Sequence, residues 1–212
     1  MKTYTIRLEQ PGDRRAVEEL TRDAFWDVYK PGADEHLVVH RLRTHPDFIP
    51  ELDFVALDGD EIVGSILYSR AAIVRPDGTR FPIIVLAPLG VRPDYQRSGV
   101  GAALVRHSLE KAKELGFAGA ALTGVPDYYP RFGFRPGRDF GITDAEGNSP
   151  DYLMAIPLAA DTLPAGVLTE SEAFFSITPE DVETFDASFP PREKFSFRNE
   201  SLLYRSTFII FG

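Results

Sequence analysis

An apolar run at Leu89-Gly90-Val91 leads through Gln96-Arg97-Ser98-Gly99-Val100-Gly101 into an apolar-periodic stretch with Ala102 at its start. A strand that turns at glycine directly into a helix constrains more than local structure. The first amides of a helix have no partner inside it and carry the positive end of its dipole, so such a turn aims successive N–H groups at one anion. Glycine at 99 and 101 has no Cβ to hold a phosphate off the backbone. Residues 96 to 101 therefore read as a cradle for a pyrophosphate.

Spacing separates the phosphate loops that could fill this role. A Walker A loop ends in Gly-Lys-Ser/Thr, whereas Gly101 is followed by Ala102 and Ala103, which excludes it. A dinucleotide fingerprint starting at Gly99 would need a third glycine where Leu104 stands, and the chain's first strand lies far upstream, so it fits poorly. What remains is Gln/Arg-x-x-Gly-x-Gly/Ala, and Gln96 to Gly101 resembles the acyl-CoA loop of the GNAT-type N-acetyltransferase superfamily. An ordinary strand-to-helix turn would look much the same in isolation. Downstream, Tyr128-Tyr129-Pro130-Arg131-Phe132-Gly133-Phe134 resembles the Phe/Tyr-Tyr-x-x-x-Gly-Phe segment that follows the fifth strand in that superfamily. Alone it would read as core packing; paired with the loop, in order and at the expected spacing, it points to the same family.

The remaining pattern alternates strands and helices. Residues 3 to 8 read as a strand, and Asp13 is placed to cap a helix with Val17, Leu20 and Ala24 on one face. A second amphipathic segment runs from Asp34 to Leu42. Asp58-Gly59-Asp60 and Pro76-Asp77-Gly78 mark two hairpin turns in an antiparallel meander that ends at the cradle. From Val100 a helix runs to Leu115, with Val105, Leu109 and Ala112 on its buried stripe, an Arg106–Glu110 pair outside, and Gly116 ending it. Strands follow at 118–123 and 152–156, with a further one near Leu168 to Phe175. The order βααβββαβαβ resembles the superfamily over residues 3–158. The fold class implied is α/β (α+β), the GNAT acyl-CoA N-acyltransferase fold, with a central mixed, mostly antiparallel sheet flanked by helices.

Residues 1–158 are accordingly expected to form the acetyltransferase domain and 159–212 a C-terminal extension. That extension holds eight phenylalanines: Phe174, Phe175, Phe185, Phe189, Phe195, Phe197, Phe208 and Phe211. Burying a Phe side chain is worth about 1.5–3 kcal/mol, which favours docking on the core, on a second copy of the chain in a homodimer, or over the acceptor pocket. The chain contains no cysteine, which excludes disulfides, thiolate metal sites and a cysteine acyl carrier. An acyl group would pass straight from donor to acceptor. The net charge of −9 repels nucleic acid and suits a cationic partner, or serves solubility alone. With no apolar run of membrane-spanning length and no secretory leader, the protein is expected in the cytoplasm, without nucleic-acid or membrane partners.

The resemblance implies acetyl-CoA as cosubstrate, no metal, and a primary amine of a small molecule or peptide as acceptor. It further implies that the fourth and fifth strands splay beside the cradle. Backbone groups of Leu89, Gly90 and Val91 then hold the pantetheine arm, Gln96, Arg97, Ser98, Gly99, Val100 and Gly101 the pyrophosphate, and Ala102 begins the helix. Arg92 and Arg97 are placed to add charge toward the phosphates. Gly90 stands where a small apolar residue is frequent, leaving the strand looser or the acyl site roomier. Tyr129 aligns with the family's general-acid tyrosine, with Tyr128 as its rival. A phenol near pKa 10 would protonate a thiolate near 8.5 uphill by about 2 kcal/mol unless the site narrows the gap, so a hydrogen bond to developing charge is favoured over full transfer. An amine near 10.4 is neutral in only about one molecule in 10³ at pH 7, a cost of about 4–5 kcal/mol, so a base is expected. Glu35, His36, His40 and Asp127 are candidates. His36 and His40 also have zinc-pair spacing, though no third ligand is in pattern, and His45 and His107 read as surface or packing residues. The asparagine frequent after the fifth strand is absent from Leu122-Thr123-Gly124-Val125-Pro126-Asp127. A non-catalytic acyl-CoA-binding regulatory module and a structural partner protein that binds no CoA remain alternatives.

Overall fold

The glycine turn joins a strand to a helix, and the rest of the chain is arranged to hold that junction. The computed structural model describes residues 4–195; the expectations for Phe197, Phe208 and Phe211 lie outside the described residues. Chain order is β1 (Thr5–Leu8), α1 (Arg14–Phe25), α2 (Glu35–Leu42), β2 (Phe54–Asp58), β3 (Glu61–Val74), β4 (Arg80–Val91), α3 (Val100–Glu114), β5 (Gly119–Thr123), β6 (Arg135–Pro136), β7 (Ile142–Thr143), β8 (Leu153–Pro157), β9 (Gly166–Thr169) and α4 (Pro179–Asp186). The strands form one sheet in the order β1-β2-β3-β4-β5-β8-β6, with β9 on β3 and β7 on β9. Only β4–β5 and β7–β9 are parallel among the described pairs.

Alternation along the strands divides the core between two faces. Leu67 and Ala87 pack with Val17, Val39 and Leu42 of α1 and α2, while Ile66, Tyr68 and Leu86 pack with Val100, Leu104 and Val105 of α3. Gly90 sits under α1: a Cβ there would lie 2.7 Å from Leu20 Cδ2. The glycine thus serves the seating of a helix on the sheet, not a looser strand or a larger acyl site.

Several local expectations give way to competing contacts. Asp13 makes no cap bond to α1; its carboxylate accepts from Arg7 (2.5 Å) and from the Gln10 amide (2.7 Å), because the cation offers a stronger partner than a neutral N–H. No α-helix follows β5. Pro126, Pro130 and Gly133 leave only the short 3₁₀ turn Tyr129–Phe132 there. The last strand ends at Thr169, and the Arg106 guanidinium lies over the Phe132 ring (5.3 Å).

Beyond β9 the chain returns along α1 and α2. Arg22 forks onto Asp186 (2.6 and 3.2 Å), Arg41 pairs with Asp181, Phe189 is buried beneath Arg15, and Trp26 Nε1 donates to Glu193 O (2.9 Å). The phenylalanines here do not act as one cluster: Phe185 and Phe189 enclose His36, whereas Phe175 and Phe195 are exposed. Among the described residues, no helix is long and apolar enough to cross a membrane.

Candidate active site

Two residues in the left-handed region shape the cradle: Arg97 at φ 61° and Gly99 at φ 96°. A left-handed arginine costs on the order of 1–2 kcal/mol, strain of the kind that persists at functional sites. Together they curl the chain so that consecutive amides face inward, the geometry of an anion nest. Among the described residues, the N–H groups of Arg97, Gly99, Val100, Gly101 and Ala102 donate to no backbone acceptor, whereas Ala103 N–H already closes onto Gly99 O at 2.9 Å. Gln96 acts differently from its neighbours. Its amide is tied to Pro93 O (3.4 Å) and its side chain donates to Val91 O (3.3 Å), which fastens the loop to the end of β4. Ser98 Oγ accepts from Tyr4 Oη (3.0 Å) and itself donates to Tyr95 O. Arg92 is held by Glu61 and Asp94, so its charge is already neutralised; Arg97 is exposed.

The strands beside the cradle separate as the fold requires. β4 meets β5 only at Ile84↔Ala120 and Val85↔Ala121. Past that point the register of β3 on β4 slips, Ile66 facing Leu89 and Tyr68 facing Leu86, so Leu67 opposes both Ala87 and Pro88. This is a bulge, which bends β4 away from β5, and Pro88 fits it because it has no N–H to leave unpaired. Arg92 N–H donates to Val63 O at 3.1 Å. By the alternation of an antiparallel ladder, Gly90 then also turns its amide and carbonyl toward β3, while those of Leu89 and Val91 face the opening.

Tyr129 stands at the β5 side of that opening. A Cβ on Gly124 would lie 2.5 Å from Tyr129 Cε2, so the glycine just after β5 leaves the space the ring fills. That contact accounts for the missing asparagine. Phe132, Phe134 and Tyr128 surround the ring, with centroids 5.1 to 6.3 Å away. Its hydroxyl is fully buried and makes no hydrogen bond among the described residues. Such a group is costly by about 1–3 kcal/mol unless something else bonds it. Burial, with smaller contributions from Tyr128, Tyr68 and Tyr29, holds the phenol well above the ordinary tyrosine value, so the protein widens the gap to a thiolate where it could have narrowed it. The Tyr128 hydroxyl also has no hydrogen-bond partner among the described residues, and the Arg131 guanidinium lies over the Tyr128 ring, 4.7 Å from its centroid.

Of the four candidate bases, one is buried on the side of the tyrosines. Glu35, at the start of α2, is buried; desolvation first and the Asp34 charge second push its carboxyl up to about 8. Burial first and the Glu35 charge second raise the Tyr29 phenol, and Tyr29 in turn packs on the cluster containing Tyr129. His36 is enclosed under α4, with Nε2 3.4 Å from Asp186 Oδ1 and both ring nitrogens without a hydrogen bond; burial pushes it down to about 4. His40 turns to Glu18 (2.9 Å), and Asp127 is exposed. Ser171 and Asp47 engage His45, and His107 packs edge-on against Phe54. Among the described residues, no three His, Cys, Asp or Glu side chains gather to hold a metal.

Free amides at a helix head, glycine without a Cβ at 99 and an orphaned phenol beside a split between strands fit an acyl-CoA in chemistry and shape. The Acetyltransferase (GNAT) family profile matches residues 16–134, more than half of the chain. The chain belongs to this family, and it is an N-acetyltransferase by that membership. It is 31% identical over 134 residues to the uncharacterized N-acetyltransferase YjhQ of Escherichia coli, covering 63% of this chain and 70% of that protein. With YhbS of the same organism the identity is 31% over 130 residues, 61% of this chain and 72% of that one. A GNAT family acetyltransferase from Brucella melitensis, solved in complex with acetyl-CoA, superposes with a TM-score of 0.67 at 26% identity, covering 82% of this chain and 99% of that one. YhbS in complex with CoA shares the fold, with a TM-score of 0.70 at 24% identity over 82% of this chain and 93% of that one.

Proposed function

We propose that the protein transfers the acetyl group of acetyl-CoA directly to a primary amine of a small molecule or peptide, in a ternary complex. The observation that carries this reading is the continuity of the unpaired amides at the head of α3 with the gap between β4 and β5. The amides of Arg97 and Gly99 to Ala102 bind the pyrophosphate, and Gln96 and Ser98 hold the loop in place. Leu89 and Val91 offer backbone groups to the pantetheine arm, and Gly90 keeps α1 close behind them. Use of acetyl-CoA as the acyl donor supports a cytoplasmic setting.

In the reaction the neutral amine nitrogen attacks the thioester carbonyl; the new N–C bond forms, the C–S bond breaks, and the proton released by the nitrogen passes to the departing thiolate. Glu35 takes the earlier proton, the one whose loss turns the incoming ammonium into that amine. With its carboxyl at about 8, the transfer from an amine near 10.4 is uphill by about 3 kcal/mol, against about 8 kcal/mol for an ordinary glutamate near 4.3. Tyr129 donates a hydrogen bond to the departing sulfur and keeps its own proton, consistent with the direction in which burial moves it. Replacing Tyr129 with Phe is expected to lower kcat by about 10² or more, with the KM for acetyl-CoA little changed. Thiol release measured across an amine panel tests this. An unaltered kcat removes Tyr129 from the mechanism, and binding of acetyl-CoA without turnover of any amine would make the protein a non-catalytic acyl-CoA module.

A further inference from the structure

A half-open cavity of about 170 Å³ lies at the other end of the β3–β4 hairpin from the cradle. Ala72 faces Pro82 and Val74 faces Arg80 in the register, so Arg70, Ala72, Arg80 and Pro82 share one face of the sheet. Four residues of strand, about 13 Å, separate Arg70 from the residue opposite Arg80. Only the short side chains of Ala72 and Pro82 fill that interval, which leaves an apolar floor between two long cations.

Asp47, from the segment after α2, and Glu170, just past β9, complete the lining. Among the described residues, no carboxylate pairs with Arg70 or Arg80, and the basic side chain nearest Asp47 is the His45 imidazole, at 3.4 Å. Glu170 Oε1 is buried and makes no hydrogen bond among the described residues. Desolvation pushes that carboxyl up to about 7, the response of an acid kept from water with no cation beside it. The cavity therefore presents two unpaired guanidinium groups, an unpaired buried carboxyl oxygen and a small apolar floor. Its volume of about 170 Å³ has room for a small aliphatic amino acid.

We propose that this cavity is a second binding site, separate from the acyl-CoA cradle, for a small aliphatic α-amino acid. The α-carboxylate lies between Arg70 and Arg80, the α-ammonium donates to Glu170 Oε1 and the Asp47 carboxylate, and the side chain rests on Ala72 and Pro82.

The test is calorimetry on the full chain with CoA bound, titrating L-alanine, propionate and ethylamine. L-Alanine is expected to bind saturably in the millimolar range, and the probes that carry only a carboxylate or only an ammonium at least tenfold more weakly. Arg70→Gln combined with Arg80→Gln, both exposed, should weaken L-alanine at least tenfold while CoA binding and Tm stay unchanged. Glu170→Gln should weaken it with propionate unaffected. No heat from L-alanine at any millimolar concentration overturns the proposal. So does binding that survives the double arginine variant, since that would place the amino acid in the acceptor opening.

Discussion

Substituting Gly99 with alanine separates what the cradle does for the protein from what it does for its ligand. Gly99 sits at φ +96°, and among the described residues a Cβ built there meets nothing within 4 Å. The cost to folding is therefore backbone strain alone, about 1–2 kcal/mol, and about 2–4 °C of Tm per kcal/mol for a chain of this size. Gly78, in the β3–β4 turn, has φ +81° and equally empty surroundings, so Gly78→Ala should lose a similar amount of stability. The ligand side differs. With a pyrophosphate seated on these amides, a methyl at 99 would take space it needs and disturb an amide bonded to a charged group, worth about 1.5–3 kcal/mol, or roughly 10- to 100-fold in affinity. Thermal melts and acetyl-CoA titrations of the two variants check this. If Gly99→Ala and Gly78→Ala both melt lower and both keep wild-type affinity for acetyl-CoA, the amides at the head of α3 do not bind the nucleotide.

Two further outcomes concern pH. With Glu35 as base, kcat/KM should rise with pH through about 8, and Glu35→Gln should abolish that limb and lower kcat by about 10² or more; a pH profile that keeps the limb in the variant assigns the base elsewhere. Asp53 is buried near Glu9, and desolvation first, with that charge second, lifts it to about 8, from about 3.9 in the unfolded chain. Between those values the folded state holds a proton that the unfolded state has released, so this group makes stability fall as pH rises. Asp53→Asn carries no such proton. Its Tm relative to the wild type should increase between about pH 5 and about pH 8, and a constant difference would show that Asp53 does not titrate as its burial dictates.

Much of the site is legible in the sequence because its signals are local. The Gly99 turn, the periodicity of α3 and the Tyr128–Phe134 segment each sit within a few residues of the structure they specify. What the sequence conceals depends on contacts between distant segments. Gly90 looks like a defect in a strand until Leu20 is seen against it, and Gly124 looks like a missing polar contact until the Tyr129 ring is seen over it. His36 has the appearance of a base until Phe185 and Phe189, far along the chain, close around it. The Gln96 amide, within the motif itself, is consumed by Pro93. One signal was available: Pro88 inside an apolar strand marks the bulge that opens β4 from β5.

The most direct measurement is the amide ¹⁵N–¹H spectrum of the full chain during titration with CoA. The amides of Arg97, Gly99, Val100, Gly101 and Ala102 should move downfield together and saturate with the calorimetric affinity, while Ser98 and Ala103, already bonded to Tyr95 O and Gly99 O, move less. Saturable CoA binding that leaves those five resonances in place would contradict the account.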